Sequence, residues 1–413
     1  MTDDTNSDRI ATRSLYSDGM FKAIGAYVFA GGFSYGMKQA GFNVLGQLEM
    51  LDCQLGVETA RRAFPVRVAS VENQREFLHT IKDGVDVLYG NPPCVAYAGT
   101  GAHRGTLDER MCHLRSFVYE LAMQLQPTVW MWELVPSIWT KDRGWLDAMA
   151  FMASRRGYTC YAFLTTSAIH GGFQDRRRFH FVASKVQLNF DQVYADEPQE
   201  RKGSKTLGDA LKIVNGARNE HHDLYNDETT YHGAFTTLFR HTAPGMHLGD
   251  LPDSILREHY FPYGTAWTGD GKPGFAHTRG RLDRPCPNIL GGHTVVHPEH
   301  DRYLTPRECA TVMGYPLSHK FSDGSAAYAE IGRGLCTHNA EFLGRVILDG
   351  LKRGVSVVPS RVIECHDWRH KARSLSLTLG KEGSRQWYKQ RHGVEAPQYY
   401  GERCRVMEDS DAI

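Results

Sequence analysis

Cys94 closes the run Asn91-Pro92-Pro93-Cys94, directly after the apolar stretch Val85-Asp86-Val87-Leu88-Tyr89-Gly90. That order reads as a buried strand ending in a stiff loop that holds one thiol. Two successive prolines fix φ and narrow the loop's ensemble, a restriction that suits a nucleophile meeting a flat ring at a set angle. The same loop is equally a turn carrying a buried thiol, so Cys94 alone decides nothing. Glu133 ends the apolar run Val129-Trp130-Met131-Trp132, and Arg176 and Arg178 alternate in Gln174-Asp175-Arg176-Arg177-Arg178, which enters another apolar run. A thiol, a carboxyl group and alternating arginines suit covalent activation of a polar heterocycle. The bland reading of the arginines is that they snorkel or pair with acids.

These residues need one platform. Between Lys22 and Ser184 short apolar runs alternate with helical segments, the pattern of a doubly wound α/β sheet. Expected strands are Ala26–Ala30, Asn43–Leu48, Asp86–Tyr89, Val129–Glu133, Thr159–Thr165 and Arg178–Ala183, with a helix beginning at Met37. In such sheets ligands bind outside the carboxyl ends of the strands, where Cys94 and Glu133 fall. The loop Phe29-Ala30-Gly31-Gly32-Phe33-Ser34, continuing to Tyr35-Gly36, would let backbone approach a ligand at a helix N-terminus. Glu49, at the end of the next strand, is placed to accept ribose hydroxyls; a solvated strand-end charge is the alternative. Together they point to a cofactor containing a nucleoside.

The rest of the chain differs in texture. Residues 191–300 hold 11 Lys+Arg against 15 Asp+Glu and ten of the twenty histidines, and strand–helix alternation is lost. Thr305-Pro306-Arg307-Glu308 opens a helix with a capping box, and His338–Leu351 reads as an amphipathic helix. The segment 351–413 carries 12 Lys+Arg against 8 Asp+Glu among Trp368, Trp387, Tyr388, Tyr399 and Tyr400, fitting either nucleic-acid contacts or a helical lid on the sheet. Expected divisions are a disordered lead-in 1–20, a catalytic domain 21–185, an irregular insertion 186–300, a return to the catalytic domain at 301–350, and an extension 351–413.

Net charge is +1, so any nucleic-acid surface must be local. Nine scattered cysteines without C-x-x-C pairs fit reduced thiols in a cytoplasmic setting. No apolar run is long enough to span a membrane. His293, His297 and His300 lack a matching cysteine pair, and packed or solvated histidines are the simpler reading; no metal is expected.

Taken in order, these segments resemble the C5-cytosine DNA methyltransferases over most of 24–350. Phe29–Gly36 resembles that family's cofactor loop, Asn91-Pro92-Pro93-Cys94 its nucleophile loop, and Trp132-Glu133-Leu134-Val135 its Glu-Asn-Val motif. Gln174–Arg178 resembles Gln-x-Arg-x-Arg, Arg302–Ala310 with Gly314-Tyr315-Pro316 the motif organising the recognition domain, and Ile331-Gly332 the start of the last motif. The resemblance implies a Rossmann-like methyltransferase domain with 186–300 as an inserted target-recognition domain. It implies S-adenosylmethionine held by Phe29–Ser34, Glu49, Asn91 and Pro92, double-stranded DNA as substrate, and a flipped cytosine attacked at C6 by Cys94. Glu133 is implied at N3 and the exocyclic amine, and Arg176 or Arg178 at O2. Phosphate contacts are expected from Arg279, Arg281 and Arg284. A monomer is expected; a partner restriction endonuclease is not legible.

Three positions depart from the family: Val95 stands for Gln, Leu134 for the Asn of Glu-Asn-Val, and Arg333 for the Asn of the last motif's Gly-Asn. Arg333 opens three arrangements. It turns outward to Glu330 or solvent, grips the methionine carboxylate of S-adenosylmethionine, or grips a carboxylate on the transferred carbon of carboxy-S-adenosylmethionine. The last arrangement would leave 5-carboxymethylcytosine. An RNA substrate and a non-catalytic DNA-binding homologue are the competing readings, opposed respectively by the roughly hundred-residue insertion and by retention of Cys94, Glu133, Arg176 and Arg178.

Overall fold

The apolar runs assemble into one sheet in the computed structural model, which describes residues 20–50, 55–69, 81, 84–98, 104–216, 235–260, 277–292, 294–322, 324–371 and 379–402. The lead-in before Met20, Cys53, His293 and Cys404 lie outside the described residues. The strands are β1 (Lys22–Ala26), β2 (Asn43–Met50), β3 (Val66–Ala69), β4 (Val87–Gly90), β5 (Val129–Leu134), β6 (Thr159–Thr166), β7 (Arg177–Ser184) and, far along the chain, β10 (Ile363–Asp367). Their spatial order is β10-β6-β7-β5-β4-β1-β2-β3. All neighbours pair in parallel except β7, which runs antiparallel to both β5 and β6. The direction of winding reverses between β1 and β4, whose ends are in register at Ala26 and Gly90. That reversal opens the crevice where ligands bind in this class of sheet.

Both faces of the sheet are covered, which is why its central strands read as unbroken apolar runs. On one face, the helices Gly32–Gln39 and Thr337–Arg353 pack against each other and over Val87, Tyr89, Met131 and Phe163. Gly36 makes this possible, because a Cβ there would meet Ala340 Cβ at 2.4 Å. On the other face, Met111, Leu114, Phe117 and Leu121, together with the helix Arg143–Ser154, cover Leu88, Trp130, Trp132 and Phe181.

Two boundaries correct the sequence reading. The first strand ends at Ala26 instead of continuing to Ala30, and the following helix begins at Gly32, not Met37. Tyr27 (φ 58°) and Phe29 (φ 54°) sit in the left-handed region, which no strand contains. The extension is also corrected. Its Ile363–Asp367 segment joins β6 as the sheet's edge strand, and Trp368 packs against Phe163 and Phe342 beneath it. Its helix Gly380–His392 then packs onto the insertion, so it is not a lid on the sheet.

The insertion holds short helices at Phe190–Asp196, Leu207–Gly216, Thr236–Phe239 and Asp253–His259, and two short parallel strands, β8 (Thr278–Arg279) and β9 (Val295–Val296). Its apolar cluster includes Leu238, Phe239, Met246 and Leu256, and is completed by Tyr303 and by Tyr388 and Tyr400 of the extension. The helix Pro306–Val312 starts as expected: Thr305 accepts from Glu308 N and Glu308 reaches back to Thr305 N, a closed capping box.

Candidate active site

Four chain segments converge at the carboxyl edge of the sheet. Asn91–Cys94 leaves β4 beside β1, and Glu133 stands at the end of β5. Because β7 is antiparallel, its entry rather than its exit lies at this edge, with Leu134 paired to Phe179 and Glu133 to His180. Arg178 therefore arrives next to Glu133, its Nε 3.2 Å from Glu133 Oε2. The two side chains are 9% and 3% exposed, so the ion pair is held away from solvent. Glu133 Oε2 has no well-formed hydrogen bond. Burial raises the Glu133 pKa, opposed by the charges of Arg178 and Arg176. A carboxyl group in that setting can hold a proton for a ring nitrogen.

Cys94 is half-buried and free. Burial pushes its thiol up; Arg178 pulls it back down, Glu133 raises it, and Arg176 lowers it. Arg178 therefore faces both groups that would meet a substrate ring.

Arg176 has a different place. It is 2% exposed, donating from Nη1 to Ile289 O (2.6 Å) and from Nη2 to Gly332 O (2.7 Å) and Gly334 O (3.1 Å). Asn91 Nδ2 donates to Arg333 O between them (3.2 Å). Arg176 and Asn91 thus brace the turn after the helix Ser325–Arg333 against the carboxyl edge of the sheet. The sequence left Arg176 or Arg178 for a substrate oxygen; the Arg176 guanidinium is committed to these carbonyls, whereas Arg178 lies beside Glu133.

The glycine-rich loop lies across the crevice. Val28 N donates to Glu49 Oε1 at 2.6 Å, while Glu49 Oε2 is buried without a partner. Burial raises the Glu49 pKa to about 8 despite the hydrogen bonds from Val28, Gln47 and Phe29. Gln47 Oε1, two residues earlier on the same strand face, is a second buried acceptor without a donor. It was missed in the sequence, although the period-two spacing from Glu49 was the available signal. Unsatisfied buried acceptors beside left-handed Phe29 are costly, and a ligand bearing vicinal hydroxyls would relieve them. Gly31 (φ 95°) and Gly32 keep the loop thin, since a Cβ on Gly32 would meet Leu335 O at 2.5 Å. Ala30 and Pro92 are buried in the walls. The Phe33 ring packs on Tyr89 and Ser34 Oγ lies 2.8 Å from Tyr89 Oη, so these two residues offer a ligand only their backbone.

Sequence, motif and fold agree on the family. A model of the C-5 cytosine-specific DNA methylases matches residues 22–349. The chain belongs to that family. The type II methyltransferase M.Sau96I of Staphylococcus aureus is 25% identical over 338 residues, covering 78% of this chain and 75% of the relative. M.Eco47II of Escherichia coli is 26% identical, with 80% of each chain covered. Among solved structures, a prophage-encoded candidate DNA modification methyltransferase of Escherichia coli superposes with a TM-score of 0.56 at 20% identity, covering 80% of this chain and 99% of its own. The S. pombe Dnmt2 methyltransferase superposes at 0.53 with 13% identity and the same coverages. The Rossmann-like methyltransferase fold is thereby established for this methylase.

The basic residues expected at DNA divide differently. Arg279 is 0% exposed and spends its guanidinium on the carbonyls of Phe239, His297 and His300 and on Asp301, so it is an internal brace and not a phosphate contact. Arg281 is paired with Asp283, and Arg284 is half-buried with its Nε enclosed. Arg333 is exposed and forms no ion pair with Glu330, whose carboxylate is held by Thr59 and Ser322. No group of His, Cys, Asp or Glu side chains among the described residues is arranged to hold a metal ion, and no helix among them is long and apolar enough to cross a membrane.

Proposed function

We propose that this chain is a DNA cytosine-C5 methyltransferase acting as a monomer on double-stranded DNA through a covalent Cys94 adduct. The observation carrying this reading is the buried Glu133–Arg178 pair beside the Cys94 thiol at the sheet's switch point. C5 of cytosine is a weak nucleophile, and addition of a thiolate at C6 turns it into an enamine carbon. Cys94 Sγ makes that bond. Glu133, its pKa raised by burial, donates to N3 as the ring loses aromaticity and accepts from the exocyclic amine. Arg178 balances the charge that develops toward O2. The base is taken out of the stack to reach this edge.

S-adenosylmethionine, when bound, supplies an electrophilic methyl carbon. Glu49 and Gln47, each carrying a buried acceptor without a donor, would hold its ribose, and the backbone of Phe29–Ser34 its remaining polar edge. Loss of the C5 proton then expels Cys94 and restores the ring. Residues 186–300 serve as the target-recognition domain, with base contacts made from irregular loops.

Duplex containing 5-fluorocytosine lacks the proton needed for elimination, so the protein with donor should remain covalently attached. Cys94→Ser should abolish the attached species on a denaturing gel; equal attachment by that variant sinks the assignment.

A second reading of the donor follows from Arg333, which forms no ion pair with the described residues while Asn91 holds its carbonyl at the catalytic edge. Its fork could take the carboxylate of carboxy-S-adenosylmethionine, making the product 5-carboxymethylcytosine. Competition between the two donors, followed by nucleoside mass spectrometry, decides this. Arg333→Asn should shift preference toward the methyl donor, and an unchanged preference removes Arg333 from donor selection.

A further inference from the structure

We infer that the short helix Ser137–Lys141 is a clamp fixing the Cys94 loop to the strand that carries Glu133, with Ser137 and Asp142 as its positioning residues. The inference rests on the covalent reading above for its kinetic consequence, but not for its geometry. Leu134, which ends β5, is apolar and fully buried, so the strand end offers the nucleophile loop no side-chain hydrogen bond. Three residues on, Ser137 Oγ donates to Tyr97 O at 2.7 Å. Tyr97 N and Ala98 N both donate to Cys94 O, at 3.0 and 3.1 Å, so the hydroxyl grips the same turn that holds the thiol residue. Tyr97 itself is 1% exposed, anchoring that turn in the core.

The other end of the helix grips the far side of the loop. Asp142 accepts from Thr106 N at 3.2 Å, with Thr106 Oγ1 at 3.4 Å from its second oxygen. Gly105 N closes back onto Ala96 O at 3.1 Å, and Arg115 Nη2 holds Thr106 O at 2.7 Å. One five-residue helix, separated from β5 by two residues, therefore holds the chain at both Tyr97 and Thr106. The consequence is geometric. Thiol and carboxyl group must meet opposite edges of one flat ring, and misplacement by about an ångström can cost roughly a hundredfold in rate. A clamp built on β5 sets the Cys94 position in Glu133's own frame.

Ser137→Ala, Ser137→Thr and Asp142→Asn test this. The first readout is the rate of covalent attachment to 5-fluorocytosine duplex at saturating donor. Ser137→Ala should slow it about tenfold, the loss of one positioned hydrogen bond, with duplex and donor affinities changed less than about twofold. Ser137→Thr keeps the hydroxyl and should restore the rate; Asp142→Asn should slow it less. The second readout is amide hydrogen exchange without DNA, where Ser137→Ala should accelerate exchange at Tyr97 and Ala98 and leave β5 protected. Wild-type attachment rate in Ser137→Ala, or unchanged protection at Tyr97 and Ala98, overturns the clamp. A rate loss that Ser137→Thr does not recover also overturns it. If the wild type fails to attach, the covalent reading falls, and exchange at those two amides still judges the clamp.

Discussion

Glu49 carries an unusual load for a single side chain. Its carboxyl group is fully buried, one oxygen accepts from Val28 N, and the other accepts nothing. Burial raises its pKa from 4.5 to about 8. An acid with a raised folded-state value holds a proton near neutrality that the unfolded chain would release. The stability this brings is complete below the unfolded value and fades as pH rises toward about 8. A ribose whose two hydroxyls both donated to Glu49 would be held best by the carboxylate, which would couple donor binding below about pH 8 to loss of that proton. Affinity should consequently fall as pH drops, approaching tenfold per unit. Calorimetry of donor binding near neutral pH in buffers of different ionisation enthalpy should report roughly one proton released. Glu49→Gln should abolish the linkage, whereas its persistence in that variant would place the proton elsewhere.

At the scale of elements, the helix Pro306–Val312 shows how local signals serve a global purpose. Thr305 and Glu308 cap each other, and Arg302 holds both Glu308 oxygens, at 2.8 and 2.9 Å. The cap thus ties the end of the insertion to the helix that packs beside Leu207–Gly216. Thr305→Ala should cost about 1 kcal/mol, the usual worth of an N-cap, and Glu308→Ala more, because it also leaves Arg302 without its buried partner. Urea denaturation of the two variants measures the order. A Thr305→Ala loss above that of Glu308→Ala would mean the hydroxyl has a partner beyond the cap. His297 Nε2 also faces Glu308, 3.8 Å away, and burial pushes the histidine down to about 3, so it stays neutral there.

The whole molecule is closed by its C-terminal extension. After adding β10 to the sheet edge, the chain returns to the insertion, where Tyr400 is 0% exposed and donates to His241 O at 2.7 Å. Arg391 pairs with Asp301, the same carboxylate that receives Arg279. The extension therefore supplies core to a region whose own apolar cluster is small. Tyr400→Ala should destabilise that region by roughly 3–5 kcal/mol, the range for emptying a buried aromatic site. Hydrogen exchange should quicken at Leu238–Leu256 while β1, β4 and β5 stay protected. Uniform loss of protection across the sheet would mean the two regions unfold as one unit.

The strands β2, β4, β5, β6 and β7, the capping box and the family were legible in the amino-acid sequence, whereas the first strand was placed four residues too late. The legible features are written in short-range chemistry: apolar run length, cap residues and motif order. The backbone at Tyr27 and Phe29 was not legible, because left-handed conformations of bulky residues are imposed by neighbours such as Glu49 and Leu48, not by local propensity. Nor was β10, whose residues Glu364, Cys365, His366 and Asp367 lack any apolar alternation and become a strand only by pairing with β6. The arginines make the same point most plainly. Arg176, Arg178 and Arg279 are indistinguishable by type, yet one braces three carbonyls, one pairs with the buried Glu133 carboxyl group and one is locked inside the insertion. A guanidinium's role is set by which acceptors lie within reach, and only the tertiary structure brings Arg176 to acceptors more than a hundred residues along the chain.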